Sequence, residues 1–124
     1  FAARLRAARR SGAASVPTGN LAPIRDFLHV QDVVNAYLAL LTRGVPGEAY
    51  NVARGEGISL DELFLRLATH LGAAAVPAPD PALMRSADIM HLVGDAAKLR
   101  AATGWRPTID IDRILKEVAD AEAD

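Results

Sequence analysis

The sequence predicts a mainly helical α+β chain with a few short strands, and three observations predict it. Apolar residues recur at the 3.6-residue period over residues 1–10, 30–43, 59–71 and 110–118, the mark of helices with one buried face. Stretches that suit a strand are short, at 16–20, 49–53 and 91–93. The 124 residues are 51% hydrophobic and 23% charged, which allows a buried core and excludes a disordered, collagen-like or disulfide-stapled chain.

Phe1, Leu5 and Ala8 share one face of the first helix, and Arg4, Arg6, Arg9 and Arg10 cover the rest. These arginines read as a solvated face beside the negative end of a helix dipole rather than a phosphate patch. Ser11-Gly12 ends the helix, and Phe1, which is not a methionine, opens straight into it, so the sequence reads as part of a longer chain. Val16 to Asn20 reads as an edge segment because Pro17 cannot donate to a central ladder.

Residues 24–30 lead into the 30–43 helix, where Val33, Val34, Tyr37, Leu38, Leu40 and Leu41 form the expected buried stripe. Asp32 falls in its first turn, facing free amides and the positive end of the dipole. Gly44 and Pro46-Gly47 stop the helix; residues 49–53 are a strand candidate, and Gly55-Glu56-Gly57 a turn. Ser59 and Glu62 have the spacing of a capping box, in which hydroxyl and carboxylate each take an amide of the other. The helix that follows buries Leu60, Leu63, Phe64, Leu67, Ala68 and Leu71 and ends at Gly72.

Residues 73–87, with Pro77, Pro79 and Pro81, read as a loop. His91 to Val93 is a short strand, Asp95 caps a short helix closed by Gly104, and Trp105-Arg106-Pro107 turns into a last helix with Ile111, Ile114, Leu115 and Val118 on one face.

Fourteen basic against fifteen acidic residues give a net charge of −1, so no global field draws the chain to nucleic acid or an acidic membrane, and neither is expected as a partner. The absence of cysteine removes thiol catalysis and thiolate metal sites and points to a reducing compartment, the cytoplasm. His29, His70 and His91 are too scattered for a metal site. No Gly-x-Gly-x-x-Gly or Walker loop is present to cradle a cofactor phosphate. Tyr50 and Trp105 read as packing residues, Asn51 as a hydrogen-bonding residue at a strand end, His29 as a satisfied core histidine, and Asp26 and Asp32 as structural carboxylates.

Four segments carry a sharper signal. They are Gly-Asn-Leu-Ala-Pro-Ile-Arg-Asp-Phe-Leu-His-Val-Gln-Asp-Val-Val at 19–34, Gly-Glu-Ala-Tyr-Asn-Val at 47–52, Ile-Ser-Leu-Asp-Glu-Leu at 58–63, and the run from Arg85 through Gly94-Asp95-x-x-Lys98-Leu99 to Gly104-Trp105-x-Pro107. In this order and spacing they resemble the C-terminal part of the extended short-chain dehydrogenase/reductases that act on nucleotide-diphosphate sugars. Gly-Asn-Leu before Arg-Asp-Phe is most similar to the GDP-mannose branch, its 4,6-dehydratases and the reductases of the resulting 4-keto-6-deoxy sugar. The short 73–87 connection and Ala-Thr-Gly-Trp resemble the reductases.

The resemblance implies an α/β parent with an N-terminal Rossmann half that binds NAD or NADP and carries a Ser or Thr and a Tyr-x-x-x-Lys pair. None of these matches a residue here, so residues 1–124 are expected to form a single sugar-nucleotide-binding subdomain with no catalytic residue and no cofactor of its own. Its expected partners are a nucleotide-diphosphate sugar and the Rossmann half, in a homodimeric parent. Cut away from that half, it should expose apolar surface on the first helix and on the 30–43 helix. Position by position, Arg25 and Arg85 match arginines that reach the diphosphate, and Asp88 matches an acidic position, often glutamate, that accepts from the ribose hydroxyls. Asn20 and Thr18 lie where the chain passes the nucleotide, although Asn20 equally suits a turn. The competing readings are a small helical protein-interaction module and a nucleic-acid binder using the arginine-rich start, the latter opposed by the acidic balance of residues 110–124.

Overall fold

The computed structural model describes residues 1–121, and its helices follow the expected order. The described residues form five helices, α1 (Ala2–Ser11), α2 (Val30–Arg43), α3 (Leu60–His70), α4 (Ala97–Thr103) and α5 (Ile111–Asp120), and five short strands. The strands are β1 (Ser15–Thr18), β2 (Ile24–Asp26), β3 (Gly57–Ser59), β4 (Val76–Pro79) and β5 (His91–Leu92), and a 3₁₀ turn spans Pro81–Leu83. No described helix is long and apolar enough to cross a membrane.

β1 and β4 pair in parallel, Ser15 opposite Val76 and Thr18 opposite Pro79. The segment expected as a loop is therefore partly a strand, and its prolines are compatible with one because of where they fall. Val76 donates to the Ala14 carbonyl and Asp80 to the Thr18 carbonyl, so the even-numbered amides face β1 and Pro77 and Pro79 face away. Pro17 faces outward on its own strand by the same alternation. In the second sheet, β2 lies between antiparallel β3 and parallel β5.

One core lies between α1, β1, α3 and α5, around Leu5, Val16, Phe64, Leu67 and Leu115. A second joins α2 to α4 through Ala36, Ala39, Ala96, Leu99 and Trp105. Here the expected stripe of α2 is corrected. The buried residues are Asp32, Ala36 and Ala39, whereas Val30 (70% exposed), Val34, Tyr37, Leu38 and Leu41 (82%) face outward. Period alone shows that a helix has an apolar face, not what covers it. Residues 49–53 also depart from expectation: they join no ladder, and among the described residues no N–H of residues 50–53 makes a main-chain bond.

The arginines of α1 are not merely solvated. Arg6 Nη2 reaches the Val118 (2.7 Å) and Ala121 (2.6 Å) carbonyls at the end of α5. Arg9 donates to the Leu71 carbonyl at the end of α3 (3.0 Å), and Arg4 to the Pro17 carbonyl (2.8 Å). Two of the four thus place positive charge on orphan carbonyls at the negative ends of neighbouring helices. Only half of the capping box forms: the Ser59 hydroxyl accepts from the Glu62 amide (3.1 Å), while the Glu62 carboxylate pairs with Arg66. Asp95 accepts from the Ala97 amide (2.8 Å), one residue ahead of the helix cap itself. Gly104, at φ 73°, closes α4 with its amide on the Arg100 carbonyl, a left-handed position that favours glycine.

Candidate functional site

Three carboxylate and imidazole side chains build the frame on which the site rests. Asp26, at the end of β2, accepts from the amides of Arg54 (3.1 Å), Gly55 (2.9 Å) and Gly94 (3.2 Å), tying the turn before β3 and the segment after β5 to the central strand. Asp32 is completely buried and accepts from the Thr108 amide and hydroxyl and the Ile109 amide, at 2.9 to 3.1 Å. Its main-chain carbonyl takes the Trp105 indole N–H (3.1 Å). Burial pushes the Asp32 carboxyl pKa up, the hydrogen bonds from Ile109 and Thr108 pull it down, and the net result lies below the ordinary aspartate value.

His29 caps α2 through Nδ1, which accepts from the Gln31 amide (3.0 Å). The proton of the neutral ring therefore sits on Nε2, 2.7 Å from the Glu117 carboxylate on α5. That hydrogen bond, with a second from Arg113, holds the Glu117 carboxyl below its ordinary range. The structural reading of Asp26, Asp32 and His29 matches this geometry. So does that of Trp105 and of Tyr50, whose hydroxyl accepts from the Val45 amide (3.0 Å); Asn51 makes a hydrogen bond, donating to the Asp95 carbonyl (3.2 Å), but not at a strand end, since residues 49–53 form no strand.

The frame brings Asn20, Arg25, Arg85 and Asp88 to one cavity of about 280 Å³ between the end of β1, β2 and the loop before β5. Arg25 Nη2 donates to Asp88 Oδ1 at 2.8 Å, and Nη1 donates to the Ile24 carbonyl at 2.9 Å. Both side chains of the pair are about one-fifth exposed. A guanidinium has five N–H donors, so three remain for a ligand. Arg85 lies on the exposed loop and, among the described residues, makes no ion pair or hydrogen bond. With two arginines and one aspartate the cavity carries one net positive charge in a chain whose net charge is −1.

Asn20 forms the turn it equally suited: its Oδ1 accepts from the Ala22 amide (3.0 Å), and its Nδ2 meets only the Met90 sulfur, at 3.8 Å. Thr18 is buried in β1, its hydroxyl has no partner among the described residues, and it is not one of the lining residues. Leu21, Leu60 and Leu83 form apolar walls; the first two lie in the 19–34 and 58–63 motifs, where nothing marked them as site residues, and Gly19 also lines the cavity. Leucine carries no chemical signature in a sequence; only the fold makes these leucines walls.

This arrangement can bind an anion with an apolar portion. It holds no lysine, tyrosine, serine or histidine that could move a proton. Among the described residues no group of three or more histidines, aspartates or glutamates could hold a metal ion. Among the described residues the left-handed glycines, 12, 47, 55, 72 and 104, are separated from one another and form no glycine-rich loop, and the side chains of His29, Ser59 and Asp110 cap α2, α3 and α5, while α1 and α4 carry no side-chain cap.

Known proteins with this sequence and fold extend the picture. GDP-6-deoxy-D-mannose reductase of Pseudomonas aeruginosa is 40% identical over 100 residues, covering 81% of this chain and 33% of its own length. The structure of RMD from P. aeruginosa complexed with NADPH superposes with a TM-score of 0.84 at 38% identity, over 95% of this chain and 39% of that one. UDP-glucose 4-epimerase of Thermotoga maritima, solved with UDP-glucose, gives a TM-score of 0.80 at 27% identity over 96% and 38%. The chain thus spans about a third of the length of the curated relatives it matches. Its helices and short strands correspond to the C-terminal part of such epimerase and dehydratase structures. The family model for GDP-mannose 4,6 dehydratase matches residues 3–118, and with it the motif order from Gly19 to Pro107: the chain belongs to the GDP-mannose 4,6-dehydratase family.

Proposed function

We propose that this chain is the nucleotide-diphosphate-binding part of a nicotinamide-dependent enzyme that reduces, dehydrates or epimerises a nucleotide sugar, with GDP as the nucleotide and 4-keto reduction as the reaction. The observation that carries the reading is the convergence of Arg25, Arg85, Asp88 and Asn20, from two segments far apart in sequence, on one positively charged cavity with leucine walls. The P. aeruginosa reductase, at 40% identity, supports the choice of GDP and of reduction.

Arg25 offers its three remaining donors to phosphate oxygens, and Arg85 adds a second fork, each charge-assisted bond contributing about 1.5 to 3 kcal/mol. Asp88 keeps Arg25 oriented through Oδ1 and leaves Oδ2 to accept from a ribose hydroxyl. Asn20 turns the chain and presents its amide at the rim. The chain binds and orients; NADP or NAD and the proton-transferring groups are assigned to a Rossmann half elsewhere in the protein. Support for such a half comes from the α2 face, from residues 49–53, which join no ladder, and from 7747 Å² of exposed surface, against about 6,400 Å² for a compact monomer of this mass. We place the whole protein in the cytoplasm as a homodimer. The same bare α2 face favours the second reading, a helical interaction module with no enzymatic role.

Thermal unfolding of the chain with GDP, UDP or a DNA duplex tests the choice. A ligand at a hundredfold its Kd stabilises by about 2.7 kcal/mol. GDP should raise the midpoint most, UDP less, and DNA not at all. No shift with either diphosphate would leave the interaction module.

A further inference from the structure

Gly19 follows β1 at the place where two main chains meet. A Cβ added there would lie 2.5 Å from the carbonyl oxygen of Leu83 and 3.4 Å from its carbonyl carbon. The obstacle is backbone, so no side-chain rotation relieves it. Gly19 is not among the residues with positive φ, so glycine is required here for close approach and not for conformation.

The same junction is tied by the Asp80 amide, which donates to the Thr18 carbonyl at 2.8 Å, and by the Asp80 carboxylate, which caps the 3₁₀ turn on the Ala82 amide at 2.9 Å. Beyond it the chain is exposed from Pro81 to Ala87. It is next held at Asp88, by Arg25, and at Met90, whose carbonyl accepts from the Ile24 amide at 2.8 Å. Arg85 lies between these holds and, among the described residues, has no ion pair or hydrogen bond of its own, so its place at the cavity depends on the two ends of its loop.

Resting on the reading of this cavity as a diphosphate site, we propose that Gly19 is a positioning residue of the site: by admitting the Leu83 main chain, it docks the 84–90 loop and sets Arg85 and Asp88 opposite Arg25. A methyl group at residue 19 drives the Leu83 carbonyl back by several tenths of an ångström. The loop then leaves β1 at its first hold, and the geometry of the two arginines is lost while the cores, which do not include Gly19, stay intact.

The test uses Gly19→Ala, with Gly12→Ala as a matched control. Gly12 also has a special requirement, φ 71°, yet nothing lies within 4 Å of its added Cβ and it is not at the cavity. Two readouts are taken on the whole chain: the Kd for GDP, and the rate of tryptic cleavage after Arg85 relative to cleavage after exposed Arg43. Gly19→Ala should weaken GDP binding about tenfold or more, the worth of one charge-assisted bond, and should raise cleavage after Arg85 selectively. Gly12→Ala should lower the melting temperature and change neither. Equal GDP affinity and an unchanged cleavage ratio in Gly19→Ala overturn the proposal, as does a rise at both sites together, which is general loosening. Should Gly19→Ala not fold, Asp80→Ala, which removes the turn's cap from outside the cavity, should give the same selective pattern in smaller measure; its absence there overturns the proposal equally. If the wild-type chain does not bind GDP, the function is wrong, and the cleavage ratio alone decides the docking role.

Discussion

At the scale of single residues, the ion pair between Arg25 and Asp88 changes what each substitution should do. Arg25→Ala removes a phosphate ligand and frees Asp88, whereas Arg85→Ala removes a ligand that has no other partner. Each should weaken GDP binding by about 2 kcal/mol, the scale of a charge-assisted bond. Asp88→Asn keeps an acceptor for Arg25 and the ribose and should cost less than either; Lys at 25 or 85 should rescue only in part, because it keeps the charge and loses the fork. Asp32 should carry a large stability effect, since it is buried and its carboxylate accepts from Thr108 and Ile109. Asp32→Ala leaves the Thr108 and Ile109 amides without acceptors in a buried site, a loss of about 2 to 4 kcal/mol in urea denaturation. Because the native pKa is depressed, the charge-dependent part of this stabilisation is complete above the unfolded aspartate value of about 3.9 and is lost as pH falls through the lower native value. The acid limb of the urea midpoint between pH 6 and 2 should therefore be flatter in Asp32→Ala. From the sequence Asp32 was legible as structural, at the start of a helix. Its actual partners lie 76 and 77 residues further on, beyond the reach of any local rule.

At the scale of elements, helix positions followed from period, glycine stops and caps, since these are local. α2 runs from Val30 to Arg43 as its spacing implied. What covers a face is not local, so the outward side of α2 was mistaken for its buried one. β4 was hidden because prolines at alternate positions suggest a loop until the partner strand shows that the nitrogens of Pro77 and Pro79 point away. The half-formed capping box makes a direct prediction. Ser59→Ala should cost about 1 kcal/mol, the worth of an N-cap, while Glu62→Ala should cost much less, since its carboxylate serves Arg66 and not the Ser59 amide. Thermal unfolding of the two variants side by side checks the order. Arg6→Ala should loosen the end of α5, seen as faster amide exchange near Ala121, which loses the charge on its terminal carbonyls.

At the scale of the whole molecule, Val30, Val34, Leu38 and Leu41 lie along the outward side of a helix that is otherwise well anchored. Such a surface self-associates. Sedimentation of the chain should show oligomers that Leu41→Lys together with Leu38→Glu disperses without lowering the melting temperature. Mixed with NADPH and a GDP-linked 4-keto sugar, the chain should give no change in cofactor absorbance, on the proposal that the dinucleotide site and the proton-transferring groups lie in a Rossmann half elsewhere in the protein. The family was legible because its motifs lie on the frame and the cavity, where Asp26, Asp32, Arg25 and Asp88 sit. The cavity's leucine walls and the docking of its loop were not, because they arise only from folding. The binding role is tested most directly by calorimetric titration of GDP into the chain and into its Arg25→Ala variant. Saturable binding by the wild type, weakened about thirtyfold in the variant, is the predicted result. Absence of binding by the wild type, or equal binding by both, would contradict it.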